Sequence, residues 1–173
     1  MSDKITPVKF EYIEIPALRF IGIDAWRTKE DWGDMWRRKD EFMPKLENMQ
    51  EQISFIIPCT CALMHHDDGA VDVINRMLIG KFFNADTPVP DGYDFHDLKP
   101  QTVAYAVFDD MTEDKLWQRY EVTRDKILSD GITIPYPVGY WHAEVYFDKT
   151  PMVEKDAPPF SCGVLFACNK GKV

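Results

Sequence analysis

One stretch of the sequence organises the rest, residues Tyr140–Phe147, whose sequence is YWHAEVYF. Side chains of a β-strand alternate between its two faces, so residues two apart share a face. One face of this predicted strand is entirely apolar and consists of Trp141, Ala143, Val145 and Phe147. The other carries two phenols, an imidazole and a carboxylate, from Tyr140, His142, Glu144 and Tyr146. The first face is typical of a core. The second is too aromatic for a solvated surface and too polar for a core, which predicts the floor of a ligand cleft.

The composition of the 173-residue chain limits the class of protein. A hydrophobic content of 45% and a charged content of 28% are typical of a globular domain. A chain of this length buries roughly 70% of the surface that it exposes when unfolded. The formal net charge of −9 argues against direct nucleic-acid binding, because a duplex-binding surface needs clustered Lys and Arg. We therefore expect no nucleic-acid partner.

The N-terminal residues predict a cytoplasmic protein, because no apolar run follows them and no signal peptide is visible. No apolar stretch is long enough to span a bilayer, so no membrane partner is expected. The cysteines, Cys59, Cys61, Cys162 and Cys168, are interpreted as reduced thiols. A zinc site is the alternative, since two of them precede His65-His66-Asp67-Asp68. Zinc ligands usually come from turns, however, and this pair lies within an apolar run. We predict no metal and no cofactor.

The predicted elements fall into two similar halves. The first half has strands over residues 8–15 and 17–25, a helix over about 32–50 that Pro44 kinks or divides, and strands over 53–64 and 71–85, joined by a turn at 65–70. Residues 86–94 form a Pro-rich connector. The second half has strands over 95–98 and 101–109, a helix over about 113–129, and strands over 140–147 and 160–168. Apart from its first strand, each half is therefore a strand–helix–strand–strand unit.

The halves also match residue by residue at an offset of 81. Met35-Trp36-Arg37-Arg38 aligns with Leu116-Trp117-Gln118-Arg119, and Leu63 aligns with Glu144. Agreement in both element order and residues predicts an internal duplication. We predict a single α+β domain over residues 1–173. It consists of two repeats, about 8–85 and 95–168, related by a pseudo-twofold axis, with antiparallel sheets and a ligand cleft between the repeats.

Three features of the sequence together resemble a known family. They are a Trp near the start of each helix, the strand Tyr105-Ala106-Val107-Phe108, and the late Glu144-Val145-Tyr146. In this order they resemble the GyrI-like small-molecule-binding domain, the effector-binding domain of bacterial multidrug-responsive regulators and of gyrase inhibitory protein. The resemblance covers about residues 9–168. Regulators of this family carry a helix-turn-helix region ahead of the domain, whereas this sequence resembles the standalone members.

The resemblance implies that Glu144 is the acidic group at the base of an aromatic cleft that accepts flat, often cationic, drugs and dyes. An isolated buried carboxylate is unfavourable, so we expect its pKa to rise and a cationic aromatic ligand to supply the counter-charge. The alternative is that Glu144 pairs with a neighbouring Lys or with His142. The predicted ligand-binding residues are Glu144, Tyr146, His142, Tyr140, Tyr105 and Tyr93. Tyr105 could equally pack against a helix, and Tyr93 could either close over the cleft or pack down.

Binding of a flat aromatic, cationic small molecule is the preferred function. The resemblance implies two further functions. The first is a hydrolase of cyclopropane-containing DNA-alkylating compounds with Glu144 as general base. The second is an interaction protein whose acidic charge fits a gyrase or regulator partner. Trp36 and Trp117 lie on the apolar stripes of their helices and are expected in the core, and His96 is expected at the surface without a partner.

Overall fold

The computed structural model of the chain describes residues 4–49, 54, 57, 59–66, 75–147 and 159–169. Within these residues the strands are β1 (Lys9–Ile15), β2 (Leu18–Asp24), β3 (Thr60–His66), β4 (Asn75–Asn84), β5 (Asp94–Leu98), β6 (Gln101–Met111), β7 (Trp141–Tyr146) and β8 (Phe160–Cys168). The helices are α1 (Ala25–Thr28), α2 (Trp32–Arg37), α3 (Lys39–Glu47) and α4 (Gln118–Ser129), with a 3-10 turn at Glu113–Lys115. The predicted α+β class is confirmed. None of the described helices combines the length and the apolar character needed to cross a membrane.

All of these strands join one 8-stranded sheet in the order β1-β6-β8-β7-β3-β4-β2-β5. Every neighbouring pair is antiparallel. The prediction of separate sheets was wrong, because β3 and β7 pair directly, with Ala62 opposite Glu144. The first strand of each half pairs with the other half, since β1 lies beside β6 and β5 lies beside β2.

The helices cover one face of the sheet, which we call the helix face. Their buried side chains share a single hydrophobic cluster with strand residues of that face, and these helix residues are Met35, Trp36, Phe42, Met43, Leu46 and Ile127. β7 directs Tyr146 towards this cluster, whereas Trp141, Ala143 and Val145 belong to the cluster on the opposite face. The predicted alternation of side chains along β7 is confirmed. Phe147 follows the end of the strand and is 36% exposed.

The opposite face is the inner face of a strongly curled sheet. His65 on β3 stacks on His96 on β5, with ring centroids 3.7 Å apart. Two strands, β4 and β2, lie between them in the sheet order, so a flat sheet would separate the two strands by about 14 Å. The sheet must therefore curl around this face, and the side chains of its strands fill the space by themselves.

Two predictions about histidines were wrong, the first because β3 is longer than expected and the second because the sheet curls. His65 and His66 were expected in a turn, but β3 continues through both, and they are buried on opposite faces. His96 was expected at the surface without a partner, yet it stacks on His65. Period-two patterns assign faces, but they do not indicate how far a sheet curls.

The first predicted helix divides at a different place from the one expected. α2 ends at Arg37 and α3 begins at Lys39, so the break falls at Arg38, and Pro44 lies inside α3. Trp36 is buried as predicted, with 1% of its surface exposed. Trp117 is 58% exposed, because it precedes α4 as a flanking residue and does not lie on its buried side.

Gly22 of β2 pairs with Gly80 of β4, and the two strands leave no room for a side chain at this position. A Cβ atom on Gly80 would lie 1.9 Å from the carbonyl oxygen of Ile21. On Gly163 of β8 the nearest atom would be the end of the Tyr105 ring, at 2.9 Å, and a ring can move.

We expect Gly80→Ala to lower the free energy of unfolding by about 3 kcal/mol, the upper part of the range for overpacking. Gly163→Ala should lower it by only about 1 kcal/mol, because its tightest contact is with the Tyr105 ring and the nearest backbone atom, the carbonyl oxygen of Ala106, is 3.3 Å away. Urea denaturation of the two variants measures both values. Equal losses would show that the β2–β4 contact can open without strain.

Candidate functional site

β7 places Glu144 at the centre of the sheet, on the helix face. Its neighbours across the strands are Ala62 on β3 and Val164 on β8, two small apolar residues. Only 7% of Glu144 is exposed. A carboxylate buried among apolar neighbours is stable only if other groups pair with it.

Three side chains pair with this carboxylate. The guanidinium of Arg119 lies 2.8 Å from Glu144, measured from Nη2 to Oε1. The hydroxyl of Tyr120 donates to Oε1, and the hydroxyl of Tyr146 donates to Oε2. The expectation of an isolated carboxylate was therefore wrong. The counter-charge comes from Arg119 of the protein itself, and neither Lys nor His142 supplies it.

The charges within this cluster are well defined. Burial raises the pKa of the Tyr120 and Tyr146 hydroxyls well above the usual value, and the charge of Glu144 raises it further. Burial alone would lower the pKa of Arg119, but Glu144 and then the neighbouring phenols raise it above its ordinary value. The cluster therefore contains a guanidinium and two neutral phenols around the carboxylate.

Cys162 belongs to the same cluster and accepts a hydrogen bond from Nη1 of Arg119 at 3.3 Å. Burial raises the pKa of its thiol, although Arg119 opposes the shift. A thiol must lose its proton to act as a nucleophile or a metal ligand. Cys162 therefore fits a structural role.

A cavity of about 500 Å³ opens beside this cluster. Its described lining is mostly aromatic and imidazole rings with a few aliphatic and polar side chains, from His66, Arg124, Leu128, Thr133, Ile134, Tyr136, Tyr140, His142 and Phe166. We call it the aromatic pocket. Tyr120 separates it from Glu144, because the Tyr120 ring lies 5.0 Å from His142 and 6.3 Å from Phe166 while its hydroxyl bonds to the carboxylate.

His142 is an uncharged wall of the aromatic pocket at neutral pH. A hydrogen bond of 2.7 Å joins its Nδ1 to the hydroxyl of Tyr140. Burial lowers the pKa of His142 to about 4, opposed by Glu144 and assisted by Arg119 and His66. Its ring stacks on Phe166 at 5.2 Å with an angle of 22° between the planes. The two rings form a stack.

The structure brings together four of the six predicted binding residues, Glu144, Tyr146, His142 and Tyr140. Tyr105 packs with the cluster of the inner face, on the other side of the sheet from Glu144. The hydroxyl of Tyr93 donates to the carbonyl of Phe42 at 2.6 Å, so Tyr93 packs down on α3. The sequence left two positions open for each of these tyrosines. Tyr93 takes the packed one, whereas Tyr105 takes neither, because the cluster that it joins on the inner face contains no residue of the described helices.

Arg119 and Tyr120 are the main site residues that the sequence reasoning missed. One signal was present, because Arg119, Thr123 and Ile127 recur four residues apart and form the buried side of α4. An arginine on a buried stripe needs an acidic partner. His66, Tyr136 and Phe166 were missed for another reason: they come from three separate segments that only the fold brings together.

The cysteines and histidines give no support for a zinc site within the part of the chain that the structure describes. No group of three or more His, Cys, Asp or Glu side chains lies together there. Cys61 is fully buried on the inner face. Asp67 and Asp68, which completed the candidate set, lie outside the described residues.

Several solved structures share this fold. SAV2435 bound to tetraphenylphosphonium has a TM-score of 0.64 and 12% identity, with 94% of this chain and 95% of that chain covered. A Staphylococcus aureus MU50 protein described under bacterial transcription regulation has a TM-score of 0.59 and 14% identity, over 92% and 97% of the two chains. The EcmrR C-terminal domain has a TM-score of 0.54 and 13% identity, over 94% and 98%.

These similarities establish the fold. The chain has the fold of GyrI-like effector-binding domains, as the sequence resemblance predicts. No protein-family model matches the sequence. No curated protein sequence matches it either.

The Arg119–Glu144 pair leads to a prediction about stability. Arg119→Met should lower the free energy of unfolding by about 3–5 kcal/mol, because it leaves Glu144 buried without a counter-charge. Adding Glu144→Gln to the same chain should restore part of the loss. The matched control is Arg37→Met, which removes an exposed ion pair with Asp34 and should change the free energy of unfolding little. Urea denaturation of the wild type, Arg119→Met, Glu144→Gln, the double variant and Arg37→Met gives the values, and additive losses for the two sites would contradict a direct pairing.

The lowered pKa of His142 leads to a prediction about pH. The unfolded histidine titrates near 6.5 and the folded one near 4, so the unfolded chain binds more protons between these values. His142 therefore contributes stability above about pH 6.5 that is lost as the pH falls towards 4, up to about 3 kcal/mol. His142→Phe should flatten the pH dependence of urea denaturation in this window. An NMR signal of the His142 imidazole that titrates near 6.5 would contradict the lowered pKa.

Proposed function

We propose that this protein binds flat aromatic small molecules in the aromatic pocket. The observation that carries the proposal is the cavity of about 500 Å³ lined by five rings. This volume lies within the usual range for small-molecule sites, about 300–1,000 Å³. Phe166 and His142 form a stack on one side, and Tyr136 and Tyr140 pack edge to face on another. Aromatic faces and edges attract further rings through stacking.

The comparison with solved structures supports this proposal. SAV2435, which shares the fold, is bound to tetraphenylphosphonium, a molecule made of four aromatic rings around a cationic centre. Fold alone does not determine function. The rings of the pocket in this chain provide the additional support.

We also propose that the two halves are repeats related by a pseudo-twofold axis, with the aromatic pocket at the junction between them. The strand order supports this, because it has the same pattern from either edge: β1-β6-β8-β7 corresponds to β5-β2-β4-β3. The pocket takes His66 from the first half and its other described residues from the second. The pairing of Leu63 with Glu144 at an offset of 81 needs adjustment, since Leu63 lies on the inner face and Glu144 on the helix face.

A cationic aromatic ligand held by Glu144 is the second candidate, and the tetraphenylphosphonium complex of SAV2435 favours it. In this chain the cation would have to move Tyr120 and compete with Arg119 for the carboxylate. Glu144→Gln would then weaken a cationic ligand more than a neutral one of the same shape.

Hydrolase activity and a protein partner stay predictions. Hydrolysis of a cyclopropane-containing compound would need Glu144 to activate water, while both of its oxygens already accept hydrogen bonds. A gyrase or regulator partner is suggested by the acidic charge alone. The cytoplasmic location also stays a prediction.

Binding is tested by titrating the protein with acridine and with N-methylacridinium at pH 8, followed by the fluorescence anisotropy of each ligand. We expect binding that weakens roughly three- to tenfold in Tyr136→Ala, because one ring of the pocket is lost. The matched control is Val138→Ala in the same loop, since both residues are well exposed, at 64% and 67%, and Val138 does not line the described pocket. Absence of binding for both ligands would overturn the proposed function.

Glu144→Gln separates the two candidates in the same assay. A loss confined to N-methylacridinium would favour the cationic ligand, and an equal loss for both ligands would exclude charge pairing. Circular dichroism of the variant checks that it remains folded.

A further inference from the structure

We propose that the aromatic pocket selects flat aromatic acids, molecules that carry a carboxylate beside fused rings, over aromatic cations. The inference rests on the proposed function, because it assigns a ligand class to the same pocket. Three features support it. They are the charge of the described residues around the pocket, the buried Nδ1 of His66, which has no partner among the described residues, and the uncharged ring of His142.

Among the described residues that line the aromatic pocket, the charge is positive. No Asp or Glu lines it among the described residues, whereas Arg124 of α4 does. The ion pair of Arg124 with Asp125 is exposed and 3.2 Å long, and such pairs are weak. Glu144 does not compensate, since it lies behind Tyr120 and is paired with Arg119. A cation in the pocket would therefore meet Arg124 without a free carboxylate.

His66 supplies the second observation. It is 6% exposed and lines the pocket, and its Nδ1 has no hydrogen-bond partner within the part of the chain that the structure describes. Buried polar atoms of this kind nearly always have a partner. Its ring is fixed by Tyr140 at 4.9 Å and by Tyr136 at 5.1 Å. In the tautomer with its proton on Nδ1, His66 would donate a hydrogen bond to a ligand oxygen.

The stacked rings of His142 and Phe166 are the third feature that fits an aromatic acid. His142 is neutral at pH 7 because burial lowers its pKa to about 4, and its Nδ1 is bonded to Tyr140. It therefore neither attracts nor repels a charged ligand strongly. The fused rings of the ligand would extend the stack of His142 on Phe166, whose planes are within 22° of each other. The carboxylate of the ligand would then accept hydrogen bonds from His66 and Arg124.

The test uses three ligands that each contain two fused six-membered aromatic rings: 2-naphthoate, 2-naphthamide and N-methylquinolinium. Isothermal titration calorimetry of the full chain at pH 7.5 gives the three affinities. We expect 2-naphthoate to bind at least about tenfold more tightly than N-methylquinolinium, because hydrogen bonds to a charged group are the strong ones. 2-Naphthamide should bind with intermediate affinity, since its oxygen accepts hydrogen bonds without the charge.

Two variants assign the preference to the pocket. Arg124→Gln, at a half-exposed position of α4, should weaken 2-naphthoate about three- to tenfold and leave N-methylquinolinium unchanged or tighter. His66→Phe keeps a ring and removes the nitrogens, and it should weaken both 2-naphthoate and 2-naphthamide. Arg37→Gln is the matched control, an exposed arginine of α2 that pairs with Asp34 and should change nothing.

The outcomes distinguish this inference from the proposed function. Tighter or equal binding of N-methylquinolinium would overturn the selection of acids and leave aromatic binding intact. A preference for 2-naphthoate that survives in Arg124→Gln and in a folded His66→Phe would also overturn it, because the acid would then be bound elsewhere. If none of the three ligands binds, both the inference and the proposed function fail.

Discussion

Arg119 of α4 and Glu144 of β7 bind each other between the helix and the middle of the sheet, and the helix face is arranged around this ion pair. Neither charge is stable there alone, so α4 and β7 depend on each other for their positions. The hydroxyls of Tyr120 and Tyr146 donate further hydrogen bonds to the carboxylate of Glu144. Trp36 packs edge-on against Tyr146, with centroids 5.1 Å apart, which connects α2 to the same centre. One buried pair thus joins helices from both halves of the chain to the sheet.

This arrangement divides two roles that a single cleft acid would combine. Glu144 and Arg119 stabilise the packing of α4 on the sheet, and in the proposed function the rings around the neighbouring cavity contact the ligand. Tyr120 belongs to both parts, because its hydroxyl contacts the carboxylate and its ring lies against His142. Among the described lining residues, the buried His66 and the exposed Arg124 then contribute polar groups to the cavity. The buried acid has little influence on it.

The sequence predicted the elements well and their three-dimensional arrangement less well. Alternation along residues 140–147 assigned both faces of β7, because a strand with one apolar face has a single stable orientation. The partner of Glu144 could not be found in the same way, since Arg119 is 25 residues away and only the packing of α4 brings it close. Trp117 shows a limit of helical periodicity, because it lies just before the first residue of α4 and remains exposed. The curl of the sheet, which joins His65 to His96, leaves no pattern in the sequence at all.

The exchange of β1 and β5 between the halves has a consequence for the order of folding. Lys9 of β1 pairs with Val107 of β6, so β1 has no pairing partner until about a hundred further residues have been synthesised. Closing so large a loop has an entropic cost before any contact compensates for it. High contact order of this kind slows folding, typically to milliseconds or seconds. During synthesis β1 therefore stays an unpaired edge, and its Lys9, Glu11 and Glu14 provide the charges that discourage association with other chains.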